Sequence, residues 1–197
     1  LLGRYGDQSG KEFYVYFTSP HPRDMTDDVL HTIAKYRCLG KWIHIPIQSG
    51  DNEMLKRMNR KYDIARYRSV IQSIRTILPT ATIFTDIIVG FTGETEEEFA
   101  NTRAAVKEFK YNMAFIAMYS PRPGAVSAKW ADDVPKDEKS RRYAVLSDDL
   151  KSVSSLYTAS MVGKEFRLLV NGHDRLDGYL SGLTEGKIAV RFKCDDE

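Results

Sequence analysis

A strand followed by a loop and a helix recurs four times along most of the chain, and this repeat is the strongest constraint on the fold. Each strand is predicted by a short run of β-branched, aromatic and aliphatic residues that ends in a polar loop before helical periodicity begins. Strands joined through helices run parallel, because the helix returns the chain to the end of the sheet where the previous strand began, and such crossovers are right-handed. The predicted strands are residues 13–17, 42–47, 81–89 and 113–118.

The helix that begins after Thr95 carries the clearest local signal. Thr95 and Glu98 can satisfy each other's free backbone N–H groups as a capping box, which predicts a helix over Glu96–Phe109. Acidic residues in the first turn and apolar residues at helical spacing indicate the other helices. These are predicted over residues 27–34, 52–58 and 64–78.

Two architectures join parallel strands in this way, a (βα) barrel and an open doubly wound sheet. No Gly-x-Gly-x-x-Gly sequence follows a predicted strand, which argues against a dinucleotide-binding open sheet. Polar sequences follow every strand, as in barrels whose site is built from the loops at the carboxyl ends of the strands. Because a barrel needs more than four strands, we predict a partial TIM-like (βα) barrel whose first strands precede Leu1 in a longer gene product.

The pattern of the chain changes after Pro135. A charged segment leads into apolar residues at helical spacing, and from Gly163 onward short segments alternate polar and apolar residues, as in a meander of strands. We therefore predict an α/β chain in three parts. These are the C-terminal portion of a barrel (1–134), a linking helix (135–160) and a truncated small β-barrel (161–197).

Charge and cysteine content exclude several classes of protein. The 29 Lys and Arg residues nearly balance the 27 Asp and Glu residues, so the net charge of +2 gives no general attraction for nucleic acid. No stretch approaches the roughly 20 consecutive apolar residues of a membrane span. Cys38 and Cys194 match no metal-ligand spacing and exclude a disulfide-dense secreted scaffold, so we expect a cytoplasmic protein and no metal site within these residues.

The loops after the predicted strands, taken together, resemble those of radical-SAM methylthiotransferases. The resemblance is closest to the branch that methylthiolates isopentenyladenosine in tRNA. Five motifs occur in the order and spacing of that family and cover nearly the whole chain. They are Ser-Pro-His-Pro (19–22), His-Ile-Pro-Ile-Gln-Ser-Gly (44–50), Leu-x-x-Met-x-Arg-x-Tyr (55–62), Thr-Asp-Ile-Ile-Val-Gly-Phe-x-Gly-Glu-Thr (85–95) and Tyr-Ser-x-Arg-x-Gly (119–124).

The resemblance implies an incomplete TIM-like barrel followed by a TRAM domain, a small RNA-binding β-barrel. It implies S-adenosylmethionine as cofactor, a 4Fe-4S cluster that cleaves it reductively, a reductant protein, a sulfur donor and tRNA as substrate. The family holds its cluster with a Cys-x-x-x-Cys-x-x-Cys sequence that this chain does not contain. Because three thiolates are the minimum for such a cluster, we expect its ligands in the parent protein and no activity from this chain alone.

Five residues are candidates for contacts with the cofactor. The family resemblance suggests Gln48 and Ser49 as contacts on the ribose side, although this loop could also hold them only for its own stability. Asp86 lies within an apolar strand, where a carboxylate must be paired or hydrogen-bonded. Glu94 precedes a capped helix, where its role could equally be helix stabilisation, and Arg122 lies between two prolines on a stiff loop that suits a carboxylate or phosphate.

A short basic segment is the candidate for contact with tRNA. Lys56, Arg57, Arg60 and Lys61 lie close together beside Tyr62 and could contact phosphates. The alternative is an ordinary solvated helix face. His21 and His44 are interpreted as structural histidines rather than metal ligands.

The sequence leaves two other functions open. A related branch modifies an aspartate of a ribosomal protein with the same barrel, cofactor and tail, and a non-catalytic RNA-binding or scaffold module would keep the fold without the cluster. The chain departs from the family at Thr92, where Pro is usual, and at Leu183 and Gly186, where Arg and Asn are usual. The last two changes weaken the RNA-binding expectation for the tail.

Overall fold

The computed structural model describes residues 1–193 and contains two separate three-stranded sheets. The first is parallel and consists of β1 (Trp42–His44), β2 (Thr82–Val89) and β3 (Met113–Met118), in that order. The second is antiparallel and consists of β4 (Leu168–His173), β5 (Tyr179–Thr184) and β6 (Ala189–Lys193). This arrangement confirms the predicted α/β class, with parallel βα units followed by a small β region. Within residues 1–193 neither sheet closes into a barrel.

The helices follow the predicted order, and one of them was not predicted. The capping box is present, since the Thr95 hydroxyl accepts from Glu98 N at 3.2 Å and Glu98 Oε2 accepts from Thr95 N at 2.7 Å. No helix among residues 1–193 is long and apolar enough to cross a membrane. The helices are α1 (Leu2–Ser9, not predicted), α2 (Asp27–Lys35), α3 (Asn52–Arg57), α4 (Ile64–Ile77), α5 (Glu96–Phe109) and α6 (Lys136–Ala159).

The prediction of a strand over residues 13–17 is wrong. Only Val15 pairs with the sheet region, donating to Cys38 O at 2.7 Å and accepting from Gly40 N at 3.0 Å. Its partner segment before β1 is a turn over residues 37–38, which offers no extended ladder. The aromatic residues of this segment therefore pack against neighbouring side chains instead of forming a strand. The Tyr16 ring, for example, lies edge-on to Trp42.

The predicted strand over residues 42–47 is also shorter than expected, because Pro46 has no N–H to donate to the ladder. Side chains replace the missing pairing. The Tyr67 hydroxyl and the Thr85 hydroxyl both donate to Ile45 O, at 2.8 and 2.9 Å, and Thr85 Oγ1 accepts from Ile47 N at 2.9 Å. Buried backbone groups on both sides of the proline are thus satisfied inside the core.

The long helix α6 is attached to the parallel sheet by two buried cations. Arg142 donates to Glu94 Oε2 at 2.8 Å and to Glu94 O at 2.9 Å, and its guanidinium lies over the Phe99 ring. Lys139 donates to Tyr119 O at 3.1 Å and pairs with Asp132. Both cations therefore connect α6 to loops that follow β2 and β3.

The antiparallel sheet contacts the amino-terminal end of the parallel sheet through the β5–β6 turn. Thr82 Oγ1 donates to Gly186 O at 2.6 Å, and the Tyr16 hydroxyl donates to Glu185 O at 3.1 Å. Lys187 Nζ lies 3.9 Å from the centre of the Trp42 ring. A lysine of the β5–β6 turn thus makes a cation–π contact with the aromatic cluster at the start of the parallel sheet.

We predict that Gly90→Ala destabilises the protein by about 2 to 4 kcal/mol. Gly90 has φ +69°, and a Cβ there would overlap with Cγ of the buried Lys139. Gly10→Ala is the matched control, because Gly10 has φ +62° but no heavy atom within 4 Å of the place that a Cβ would occupy. Urea denaturation should show a loss of only about 1 kcal/mol for the control. Equal losses for the two variants would contradict this packing argument.

We predict that Arg142→Met destabilises the fold by about 3 to 5 kcal/mol at pH 8, because it leaves the buried Glu94 carboxylate without its cation. Burial already raises the pKa of Glu94, against the hydrogen bonds from Gly90 N and Arg142. Removal of Arg142 raises that pKa further, so the folded variant holds a proton that the unfolded chain releases as pH rises.

The loss should consequently be smaller at pH 5 than at pH 8. Adding Glu94→Gln to Arg142→Met should recover at least half of the stability at pH 8, since the buried charge is removed while an acceptor for Gly90 N remains. Chemical denaturation of the two variants at both pH values measures this. A loss independent of pH would show that Glu94 is not the group responsible.

Candidate functional site

A cavity of about 430 Å³ lies beside the carboxyl-terminal halves of β2 and β3. Three of the predicted cofactor contacts, Gln48, Asp86 and Arg122, line it. Arg60, one of the four cations predicted to contact tRNA, lines the same cavity. The carboxyl edge of a parallel sheet is where ligands bind in βα architectures, so the location suits a binding site.

Gln48 reaches the cavity because of the interruption at Pro46. Beyond the proline, Gln48 rejoins the sheet as an isolated bridge to Ile87, donating to Asp86 O at 2.8 Å and accepting from Ile88 N at 2.9 Å. Its backbone has φ +67°, a left-handed conformation that is uncommon for a residue other than glycine. The surrounding bonds hold this strained conformation, which is typical of functional positions.

Asp86 presents a carboxylate at the wall of the cavity. Its side chain is 29% exposed, and Oδ2 lies 3.1 Å from His44 Nε2. His44 is buried, and its Nδ1 lies 3.2 Å from the Ser19 hydroxyl. The structural interpretation of His44 is consistent with this arrangement, and the carboxylate in the apolar strand has the hydrogen-bond partner that burial requires.

Two arginines give the cavity positive charge opposite Asp86. Arg60 Nε is buried and has no hydrogen-bond partner among residues 1–193. Arg122 lies on the loop that follows β3 and is exposed. Because both guanidinium groups belong to residues that line the cavity, an anionic group of a ligand could pair with them, and a carboxylate or phosphate is the strongest acceptor for arginine.

The remaining wall is largely apolar and was not identified from the sequence. Phe91 and Tyr119 have ring centres 4.6 Å apart, and the Tyr119 hydroxyl donates to Ser127 O at 3.2 Å. Phe115 and Met118 on β3 are exposed toward this space. The alternation of β3 could have indicated Phe115 together with Ala117, which also lines the cavity, because alternate residues of a strand share a face. Met118 is the last residue of the strand and does not follow from this pattern. Cavities with apolar walls and few polar groups suit organic cofactors.

Two predicted cofactor contacts do not lie on the cavity wall. The Ser49 side chain is fully buried, and its hydroxyl lies 3.2 Å from Thr102 Oγ1 and accepts from Asp51 N at 3.2 Å. Glu94 is buried in its ion pair with Arg142 and accepts from Gly90 N at 2.6 Å. The Ser49 hydroxyl and the Glu94 carboxylate are therefore engaged by groups inside the fold rather than placed at the cavity.

The four predicted tRNA-contacting cations do not form one exposed surface. Arg57 donates to Thr92 O at 3.0 Å and pairs with Glu98. Arg60 lines the cavity, whereas Lys56 is exposed and pairs with Glu53, and Lys61 is exposed. Helix α3 ends at Arg57, so the chain turns between the cations and directs them to different places.

Within residues 1–193 no group of three or more His, Cys, Asp and Glu side chains could hold a metal ion. Cys38 is buried beneath α1, where its thiol approaches Gly3 O at 3.9 Å and a Cβ on Gly6 would overlap with its sulfur. Cys194 lies outside the described residues. The described part of the chain therefore does not contain the thiolates that an iron–sulfur cluster needs.

The chain is similar to curated tRNA-modifying enzymes over all or most of its length. It is 41% identical over its whole length to a tRNA-2-methylthio-N(6)-dimethylallyladenosine synthase from Clostridium botulinum, of which it covers 44%. Proteins of the same name from Oceanobacillus iheyensis and Burkholderia multivorans are 41% and 38% identical over 91% and 90% of the chain. In those two proteins the chain covers 35% and 39% of the length, so it spans less than half of each relative.

A solved structure supports the fold. Coproporphyrinogen III oxidase from Escherichia coli, described as a radical SAM enzyme, matches 77% of this chain and 34% of its own with a TM-score of 0.54 and 20% identity. The profile of the Radical SAM superfamily matches residues 3–106, which include α1 to α4, β1, β2 and most of α5. On this match over more than half of the chain, and with the parallel βα units that carry it, the chain belongs to the Radical SAM superfamily.

Proposed function

We propose that the cavity binds S-adenosylmethionine and that the chain is the cofactor-binding part of a tRNA methylthiotransferase. The observation that carries the proposal is the cavity at the carboxyl edge of the parallel sheet, which brings Gln48, Asp86, Arg60 and Arg122 to one place. The 41% identity to a tRNA methylthiolating enzyme supports the reaction type. Since tRNA is modified in the cytoplasm, we expect the protein there.

The residues around the cavity fit the chemistry of the cofactor. S-adenosylmethionine presents an ammonium and a carboxylate at one end and a ribose diol and an adenine at the other. Asp86 can pair with the ammonium, the guanidinium of Arg60 can donate to the carboxylate, and the Gln48 amide can bond the diol. Phe91 and Tyr119 offer an apolar wall to the ring.

The bound cofactor would supply a radical for hydrogen abstraction and, from a second molecule, a methyl group. The role of the chain itself is binding and orientation. Asp86 and Arg60 would fix the amino-acid end by charge, while the aromatic wall excludes water from the sulfonium side. Arg122 is exposed on the loop after β3, where it would bind a phosphate of the tRNA substrate or a carboxylate at the cavity mouth.

The iron–sulfur cluster does not fit the residues of this chain. The chain has two cysteines, Cys38 and Cys194, whereas a cluster needs at least three thiolates. Cys38 is also buried beneath α1. We therefore assign the cluster ligands to another part of the parent protein and derive no step from this chain through the cluster. A reductant protein and a sulfur donor are also part of the proposed function. Their support is the family resemblance.

We predict that Arg60→Met and Asp86→Asn each weaken the binding of S-adenosylmethionine about tenfold or more, because each removes a charged partner at the cavity wall. Equilibrium dialysis with labelled cofactor measures the affinity. Lys61→Met is the matched control, since it removes an exposed cation next to Arg60 and should leave the affinity unchanged. Equal effects of Arg60→Met and Lys61→Met would mean that only general charge is involved.

We also predict that deleting the complete gene removes the 2-methylthio group from isopentenyladenosine in tRNA. Mass spectrometry of tRNA nucleosides measures the modification, and the restored gene should return it while a copy carrying Asp86→Asn should return it only in part. Unchanged tRNA with loss of methylthio-aspartate from a ribosomal protein would favour the alternative branch. Translation of the complete coding sequence should reveal Cys-x-x-x-Cys-x-x-Cys, and its absence would favour the non-catalytic scaffold.

A further inference from the structure

A buried histidine connects the cavity wall to the loop that precedes α2. His44 is 7% exposed and lies at the end of β1, one strand away from Asp86 on β2. Its Nε2 is 3.1 Å from Asp86 Oδ2, and its Nδ1 is 3.2 Å from Ser19 Oγ. His44 itself does not line the cavity, but the carboxylate that it contacts does.

These two contacts select one form of the ring. An ionised carboxylate only accepts hydrogen bonds, so the hydrogen of a neutral His44 must be on Nε2. Nδ1 is then an acceptor, and the Ser19 hydroxyl is the donor that it requires. Ser19 has φ +53°, a left-handed conformation for a residue that is not glycine. The loop therefore holds the hydroxyl at a position that a relaxed backbone would rarely provide.

Aromatic packing fixes the orientation of the ring. The Phe84 ring meets His44 edge-to-face with centres 4.5 Å apart, and the Trp42 ring lies 5.4 Å away. Trp42 in turn stacks on Phe84 at 5.5 Å. Between these rings the imidazole cannot rotate freely, so the position of Nε2–H is set by the core rather than by solvent.

Asp86 needs such a fixed partner. The terminal torsion of an aspartate is broad and roughly two-fold, so an exposed carboxylate samples many orientations. The bond from His44 engages Oδ2 and leaves the second oxygen for a ligand in the cavity. A carboxylate held in this way has lost its rotational freedom before the ligand arrives, which favours binding.

We propose that His44 is a positioning residue that orients Asp86 toward the positively charged group of the cavity's ligand, with Ser19 fixing the imidazole tautomer. The inference deepens the proposed function and rests on the cavity being the cofactor site. It assigns the histidine of the His-Ile-Pro-Ile-Gln-Ser-Gly motif a task in binding without contact to the cofactor.

Two amide variants separate this role from simple packing. In His44→Gln the amide nitrogen reaches the place of Nε2 and can donate to Asp86, whereas in His44→Asn it reaches only the place of Nδ1 beside Ser19. We expect dialysis with S-adenosylmethionine to give near wild-type affinity for His44→Gln and a five- to tenfold weaker affinity for His44→Asn. Thermal unfolding of both variants should show similar melting temperatures, since both replace the ring by a smaller amide.

Nitrogen-15 NMR of the histidine rings gives a readout that does not depend on the cofactor. The wild-type protein should show His44 as the neutral tautomer with hydrogen on Nε2, and Ser19→Ala should allow exchange between tautomers. Equal cofactor affinities for His44→Gln and His44→Asn, or a neutral ring with its hydrogen on Nδ1 and none on Nε2, would overturn the positioning role while leaving the proposed function intact. Failure of the wild-type protein to bind S-adenosylmethionine at all would overturn both.

Discussion

The buried pair between Glu94 and Arg142 is the interaction on which the arrangement of the other parts depends. Glu94 Oε2 accepts from Gly90 N and from Arg142, so one carboxylate oxygen closes the loop after β2 and attaches α6 to it. A charge pair in the interior is stabilising when further hydrogen bonds satisfy it. Here Glu138 supplies another bond to the guanidinium, while Glu94 Oε1 is buried without a partner among residues 1–193. The end of β2 and helix α6 are joined at this point.

The cavity lies beside an interruption of the parallel sheet, where side chains of the core satisfy the backbone groups that the sheet leaves unpaired. Pro46 interrupts β1, and the hydroxyls of Tyr67 and Thr85 take over the backbone groups that the ladder leaves. Gln48 then returns to β2 in a left-handed conformation beside Asp86. A regular strand would have continued past this position, so the interruption is what brings an amide and a carboxylate to the same wall.

The sequence was sufficient for the features that depend on local patterns. The capping box at Thr95, the helical periodicity of α4 and the parallel order of the strands follow from spacing and turn chemistry. Gln48, Asp86 and Arg122 were chosen partly by family resemblance and lie together at the cavity. For Gln48 and Arg122, position after a strand is enough to predict which edge of the sheet they reach, whereas Asp86 lies within β2 itself.

Sequence reasoning was insufficient where a side chain has a partner distant in the sequence. Nothing in the sequence around Glu94 indicates that Arg142, 48 residues later, neutralises it inside the fold. Arg57 and Arg60 are neighbours in the sequence, yet one pairs with Glu98 and the other faces the cavity. Residues 13–17 have strand composition, but ladder formation depends on a neighbouring extended segment that the chain does not supply there.

The antiparallel sheet is attached to the rest of the molecule at two separate places, and this has a geometric consequence. Helix α6, with 24 residues, spans about 36 Å at 1.5 Å per residue, and the β5–β6 turn contacts Thr82 and Trp42 independently of it. Two points of attachment restrict the rotation of the antiparallel sheet that a single linker would permit. The antiparallel sheet is consequently held at one place relative to the cavity.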